Sequence, residues 1–279
     1  MYKFGLIGYP LGHSLSAVIH KAGFDSIGIQ ADYEILETPP EDLVTRIKFL
    51  KREDYAGFNV TIPLKLPVAL FVDEVDRRAD IATAINTVVI NQDKSLKGYN
   101  TDVLGFKKAI PYGIELANKK VGVLGTGGAC RAAVVALVEC GVKHIALYTR
   151  NIPNSLQVLN YFRKTFVNVE FSTHQIDAIR DLSDLGMLVN TTPIGMLGRS
   201  ADMTPVELPA LKTLPKSAVV YDVIYNPKKT ILLKDAESIG LQTINGLDML
   251  VYQAASAQEI WLNKTPDFNA MKIAALENL

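Results

Sequence analysis

The sequence is poor in the residues that build covalent or metal frameworks. Its 279 residues include two cysteines, Cys130 and Cys140, and four histidines. If both cysteines sit on one helix, they lie about 15 Å apart at ~1.5 Å per residue. A disulfide needs Cα atoms within roughly 7 Å. The thiols are therefore expected to be free, which fits a reducing compartment. Neither cysteine has a CxxC partner and the histidines are scattered, so no metal site is expected. An excess of one charge is missing too, since Lys plus Arg and Asp plus Glu each number 29. No global field and no basic run draws in a nucleic acid backbone. No apolar run is long enough to span a bilayer, and KFGLIGYP at the N-terminus reads as a strand rather than a signal peptide. A cytoplasmic protein with neither nucleic acid nor membrane as partner is expected. Repeats and low-complexity segments are also lacking.

What is present is core material. Apolar residues make up 48% of the chain and charged residues 21%, a globular profile of one large or two ordinary domains. Strand and helix patterns alternate from end to end. The first half reads strand 3–8, helix 15–26, strand 31–36, helix 40–51, strand 56–61 and helices near 65–81. A strand pair, 85–90 and 96–99, follows, joined by the turn formers Asn91 to Ser95, and then a helix at 102–109. The second half reads strand 120–124, helix 129–139, strand 143–148, helix 153–163, strand 167–171 and helix 175–180. Strands 186–190 and 218–223, helix 229–238, strand 241–244 and helices 247–261 and 267–277 complete it. Such alternation predicts an α/β architecture with mostly parallel sheets.

FNVTIPLK at 58–65 places apolar residues at even positions and Asn59, Thr61, Pro63 and Lys65 at odd ones. Period two marks a strand with one buried face. The polar face looks either at water or at a ligand. Lys65, just past the strand's C-terminal end, stands where α/β folds place ligands. Asp102 follows GYNT at another strand-to-helix junction, where it would also serve as an N-cap. A lysine paired with a carboxylate suits carbonyl chemistry, because the carboxylate favours the charged ammonium. Ser14 and Ser16 open a helix, where two hydroxyls two residues apart can grip a carboxylate or cap the helix. His13 beside them reads more simply as a structural or solvated histidine than as an acid–base group.

Residues 120–133, KVGVLGTGGACRAA, form the strand, glycine turn and helix start that a dinucleotide needs. Gly125 allows the turn and Gly127 lets backbone approach a pyrophosphate. Gly128 and Ala129 begin a helix whose unpaired N–H groups favour phosphate. Cys130 replaces the third glycine and is small enough for close packing. The next strand ends in Thr149, Arg150 and Asn151, with no acidic residue between Glu139 and Glu170. An arginine there, flanked by hydrogen-bond donors, suits a 2′-phosphate, so NADP is preferred over NAD.

Taken together, the motifs resemble the shikimate dehydrogenase (shikimate/quinate dehydrogenase) family. GYPLGHSLS at 8–16, FNVTIPLK at 58–65, AINTVV at 84–89, GYNTD at 98–102 and LGTGGACRAA at 124–133 carry the resemblance. VNTTPIGM at 189–196, YDVIYNP at 221–227 and NGLDMLVYQAA at 245–255 extend it along essentially the whole chain. The resemblance implies NADPH-dependent reversible reduction of 3-dehydroshikimate to shikimate, in aromatic amino acid biosynthesis. It implies Lys65 and Asp102 as the catalytic pair and Ser14 and Ser16 on the substrate carboxylate. Asn59, Thr61, Asn86, Asp102 and Gln253 would meet the ring hydroxyls, with Tyr225 nearby. Gly125, Gly127, Gly128, Ala129, Thr149, Arg150 and Asn151 would hold the adenosine phosphate end. Thr191, Ile224, Gly246 and Met249 would surround the nicotinamide. The implied layout is a substrate domain of 1–102 plus 245–279 and a Rossmann-type NADP domain of 103–244. Partners would be small molecules, with monomer and homodimer both open. The chain departs from the family pattern at Ala17 and Thr83, in place of proline and glycine, and in the reversed order Thr149-Arg150-Asn151. Alternatives are a quinate/shikimate dehydrogenase using NAD, a methylene-tetrahydrofolate dehydrogenase-like enzyme, and a ligand-sensing homologue without activity.

Overall fold

The computed structural model describes residues 1–12 and 14–279; His13 lies outside the described residues. In chain order the elements are β1 (Tyr2–Gly8), α1 (Ser16–Ser26), β2 (Ala31–Glu37), α2 (Leu43–Arg52), β3 (Gly57–Val60) and β4 (Glu74–Val75). Next come α3 (Arg77–Ala82), β5 (Thr87–Ile90), β6 (Leu96–Tyr99), α4 (Thr101–Lys108), β7 (Lys120–Leu124) and α5 (Gly128–Glu139). Then follow β8 (His144–Thr149), α6 (Ile152–Thr165), β9 (Glu170–Gln175), β10 (Met187–Asn190) and α7 (Leu208–Leu211). The chain ends with β11 (Val219–Asp222), α8 (Ile231–Ser238), β12 (Gln242–Ile244), α9 (Leu247–Leu262) and α10 (Phe268–Glu277). They divide into two compact units, Met1–Gly105 with Leu250–Leu279, and Phe106–Met249.

The first unit holds a six-stranded sheet in the order β2-β1-β3-β5-β6-β4. β1 pairs in parallel with β2 and β3, while β5 runs antiparallel to β3 and β6. The β5–β6 hairpin closes as the turn residues predict, with Asn91 donating its N–H to the Ser95 carbonyl at 2.9 Å. One face packs Ile7, Leu50, Phe58, Leu64, Val68 and Leu96 into a core. On Phe4 stack Phe24 of α1 and Trp261 of α9, with ring centroids 5.3 and 4.4 Å away.

The second unit holds a wholly parallel sheet, β12-β11-β10-β7-β8-β9. Its central strands β7, β8, β10 and β11 are largely apolar, as strands covered on both faces must be, while the edge strands β9 and β12 are mostly polar. Counting from β7, this is the doubly wound order 3-2-1-4-5-6. The order reverses between β7 and β10, so a crevice opens at the C-terminal ends of those strands. α5 packs on the sheet through small residues, with Cys130, Ala132, Ala133 and Ala136 fully buried.

Several boundaries differ from the pattern reading. The period-two strand over 56–61 ends at Val60, and Ile62 is 46% exposed rather than inward. The chain turns at 61–65, where the Thr61 carbonyl accepts from the Leu64 N–H at 2.8 Å. The helices expected near 65–81 resolve into a single turn at Pro67–Phe71, the two-residue β4 and the short α3. The strand expected at 167–171 lies at Glu170–Gln175, because pairing with β8 sets its register from His144–Glu170 to Thr149–Gln175. It takes up the start of the helix expected at 175–180, leaving one turn at Ile176–Ala178. Cys140 caps α5 instead of lying within it, and both cysteines are free. Thr83 ends α3 at φ +48°, a left-handed position where a β-branched residue is strained. No helix of the described residues is long and apolar enough to cross a membrane.

Candidate active site

Neighbouring strands bring the polar residues of the first unit together. Asn59 and Thr87 face each other across β3 and β5. The Lys65 carbonyl accepts from the Ile85 N–H at 2.8 Å, and the Asn86 N–H donates to the Tyr99 carbonyl at 3.0 Å. Lys65 and Asn86, from two loops, thus converge with Asp102 of α4. Lys65 Nζ lies 2.6 Å from Asp102 Oδ2, and the two side chains are 15% and 7% exposed. Asn86 Nδ2 donates to Asp102 Oδ1 at 2.8 Å and stands 3.4 Å from Gln253 Oε1. Asn86 Oδ1 accepts from the Thr101 N–H at 2.7 Å, which fixes the amide's orientation. Asp102 sits inside the first turn of α4 rather than at its N-cap, where a carboxylate also meets the positive helix end.

Asn59 is buried and fully engaged. Its Nδ2 donates to the Asn86 carbonyl at 3.2 Å and to Thr87 Oγ1 at 3.0 Å. Its Oδ1 accepts from the Tyr33 hydroxyl at 2.7 Å. Thr61 is half-buried, in the turn after β3. Ser14 Oγ donates to Ser16 Oγ at 3.1 Å and accepts from the Ser16 N–H at 3.3 Å. Neither serine is the N-cap of α1; Leu15 holds that position without a side-chain bond. The two hydroxyls instead bridge the helix start.

The second unit supplies the glycine turn. Gly125 has φ +106°, and a Cβ there would stand 2.9 Å from Thr191 Oγ1. Gly127 has φ −79° and caps α5 with open space where a Cβ would be. Backbone at Gly127, Gly128 and Ala129 is therefore open to a pyrophosphate. Thr191 Oγ1 donates to the Leu124 carbonyl at 2.6 Å, tying the loop after β10 to the end of β7. Thr149 Oγ1 accepts from the Asn151 N–H at 3.1 Å, and Asn151 Oδ1 caps α6 by accepting from the Asn154 N–H. Arg150 is exposed, and among the described residues its guanidinium has no ion-pair partner. At Gly246 a Cβ would stand 2.0 Å from the Val223 carbonyl oxygen, so this loop lies against the one after β11. Ile224 and Met249 are buried, and Tyr225 is half-buried, its phenol pushed up by burial. The Cys130 thiol, pushed up to about 12 by burial, packs helix against strand.

Some participants escaped the sequence reading. Asp222, buried in the apolar run VVYDVIY, accepts from Asn190 Nδ2 at 3.0 Å, the Ile224 N–H at 3.1 Å and the Thr230 hydroxyl at 2.7 Å. Burial outweighs these donors and pushes its carboxyl up to about 6. Asn190 Oδ1 in turn accepts from the N–H and hydroxyl of Thr192. A charge inside an apolar strand was the available signal. In the first unit Tyr33, His20, Thr87 and Gln258 were missed for a similar reason, being ordinary core positions by pattern.

Two family models match. One, described as the shikimate dehydrogenase substrate binding domain, covers residues 6–88; the other, the shikimate 5'-dehydrogenase C-terminal domain, covers 246–276. Shikimate dehydrogenase (NADP(+)) of Staphylococcus aureus strain MSSA476 is 37% identical over 281 residues, spanning 99% of this chain and 98% of that one. The chain belongs to the shikimate dehydrogenase family. Among solved structures, shikimate 5-dehydrogenase from Thermus thermophilus, in complex with NADP(H) and shikimate, is similar at a TM-score of 0.86 and 31% identity over 100% of both chains. Quinate dehydrogenase from Corynebacterium glutamicum, in complex with NAD, gives 0.89 and 29%, covering 99% of each chain. This shikimate dehydrogenase family member thus has relatives bound to either nicotinamide coenzyme.

Proposed function

We propose that the chain catalyses the reversible NADPH-dependent reduction of 3-dehydroshikimate to shikimate. The observation that carries this reading is the shielded Lys65–Asp102 pair, 2.6 Å apart, with Asn86 donating to the same carboxylate. Bound NADPH supplies the hydride that reduces the C3 carbonyl carbon. Lys65 Nζ hydrogen-bonds the carbonyl oxygen, stabilises its developing negative charge and delivers the proton that makes the hydroxyl. Asp102 holds the ammonium in place and, with Asn86 and Gln253, orients the ring hydroxyls. Ser14 and Ser16 bind the carboxylate, and Thr61 and Tyr225 complete the substrate contacts. Asn59 acts from behind, since its amide is already saturated by Tyr33, Thr87 and Asn86.

The residues around the glycine turn fit the coenzyme. Gly125, Gly127, Gly128 and Ala129 would receive the pyrophosphate, while Thr191, Ile224, Gly246 and Met249 would line the nicotinamide. Arg150, aided by Thr149 and Asn151, would pair the 2′-phosphate, which favours NADP. On this reading residues 1–102 with 245–279 form the substrate domain and 103–244 the NADP domain. The two free thiols suit the cytoplasm, and the protein works there on small molecules as a monomer or homodimer.

The test is NADPH absorbance with shikimate and NADP, run beside quinate and NAD. Turnover with shikimate and NADP is expected; turnover confined to quinate and NAD would overturn the assignment. Lys65→Ala should lower kcat by about 10²–10⁴-fold with a much smaller change in shikimate KM, because proton delivery acts in the transition state.

A further inference from the structure

A chain of hydrogen bonds runs through the first unit from Tyr33 to Asp102. Its direction follows from groups that can bond only one way. Asn59 Nδ2 donates to Thr87 Oγ1 at 3.0 Å, so the Thr87 hydroxyl must pass its own proton onward. Two acceptors stand within reach of it, Asn86 Oδ1 at 3.0 Å and Thr101 Oγ1 at 3.1 Å. Asn86 Nδ2 then donates to Asp102 Oδ1 at 2.8 Å. At the other end Asn59 Oδ1 needs a donor, and the Tyr33 hydroxyl provides it at 2.7 Å. Near the start of α1, Ser14 Oγ donates to Ser16 Oγ at 3.1 Å.

Tyr33 is itself held. Its ring stacks on His20 with centroids 4.2 Å apart and planes 9° apart. Gln258 Nε2 lies 2.8 Å from the His20 carbonyl, which only accepts, so that atom is the amide nitrogen. The same nitrogen lies 3.1 Å from His20 Nδ1, which must therefore accept and leave the proton on Nε2. Burial pushes His20 down to about 3, so the ring is neutral at any working pH. The Gln258 amide and the His20 tautomer are thereby determined.

We propose that Tyr33 is a positioning residue: its hydroxyl seats the Asn59 amide, which through Thr87 sets the place of the Asn86 amide that holds Asp102 against Lys65. The inference rests on the proposed reaction for its kinetic consequence, though the chain itself does not. Without the Tyr33 hydroxyl, Asn59 Oδ1 becomes a buried acceptor lacking its donor, a cost that the Asn59, Thr87 and Asn86 contacts absorb by shifting.

Tyr33→Phe keeps the ring stack on His20 and removes the one bond. In the side-chain amide NMR spectrum the Asn86 signals should shift, although Asn86 does not touch Tyr33. Shikimate KM should rise about tenfold with kcat within about threefold of wild type, the effect of one lost hydrogen bond. Thr87→Val cuts the next link, and the double variant should cost about as much as the worse single one. Unmoved Asn86 signals, an unchanged KM or additive losses would overturn the proposal. If Tyr33→Phe does not fold, Thr87→Val decides alone: the Asn59 and Asn86 signals must both move. A wild type inactive on shikimate would remove the proposed function, while the amide signals would still judge the chain.

Discussion

At the scale of single residues, position and burial set the chemistry. Lys65 and Asp102 drew notice in the sequence because each follows a strand pattern, where α/β folds gather ligands, but that they touch is visible only in the structure. Tyr33, His20 and Asp222 were not legible, because their roles depend on neighbours far along the chain. Asp222 carries a prediction. Its carboxyl is raised from an ordinary 3.8 to about 6 by burial. The folded chain therefore binds a proton that the unfolded chain has released. The resulting stability is complete below the unfolded value and is lost as pH rises through about 6. Asp222→Asn lacks this titration. Between about pH 4 and about pH 7 the wild type should lose about 2 kcal/mol relative to that variant, read by urea unfolding at each pH. A gap that does not change with pH would mean that Asp222 is not held protonated. Thr83, strained at φ +48°, carries another: Thr83→Asn should raise the urea midpoint by about 1 kcal/mol equivalent, since asparagine tolerates that conformation.

At the scale of elements, the parallel strands were read almost to the residue. β7, β8, β10 and β11 are apolar runs bounded by turn formers, and burial on both faces leaves that pattern in the sequence. Edges were harder. β9 slid three residues because its partner β8, not its own composition, sets the register. β3 stopped at Val60 although the alternation ran on to Leu64. The glycine turn was placed correctly, and its two glycines are separable by experiment. Gly125 combines a positive φ with a crowded Cβ position, whereas Gly127 has an ordinary φ and open space. Gly125→Ala should destabilise the chain by about 1–3 kcal/mol and also weaken NADP binding. Gly127→Ala should leave the urea midpoint near wild type yet weaken NADP binding about tenfold or more, because the new methyl fills space the coenzyme backbone contact needs. Equal stability losses for both would contradict the geometry.

At the scale of the molecule, the two units carry different halves of the proposed work, and hydrogen exchange can tell them apart. NADP alone should protect amides around 125–131 and 149–155, while shikimate alone should protect those around 14–16 and 59–61. Protection of the same unit by both ligands would contradict the division. Two buried groups, one in each unit, should also answer acid in opposite ways. His20, neutral within the first unit, gains no proton until about pH 3, whereas an unfolded imidazole gains one near 6.5. Souring the medium thus rewards unfolding of the first unit, just where Asp222 makes the second unit firmer. Through these two groups acid works against the first unit and in favour of the second, and the depressed His174 of the second unit offsets part of that gain.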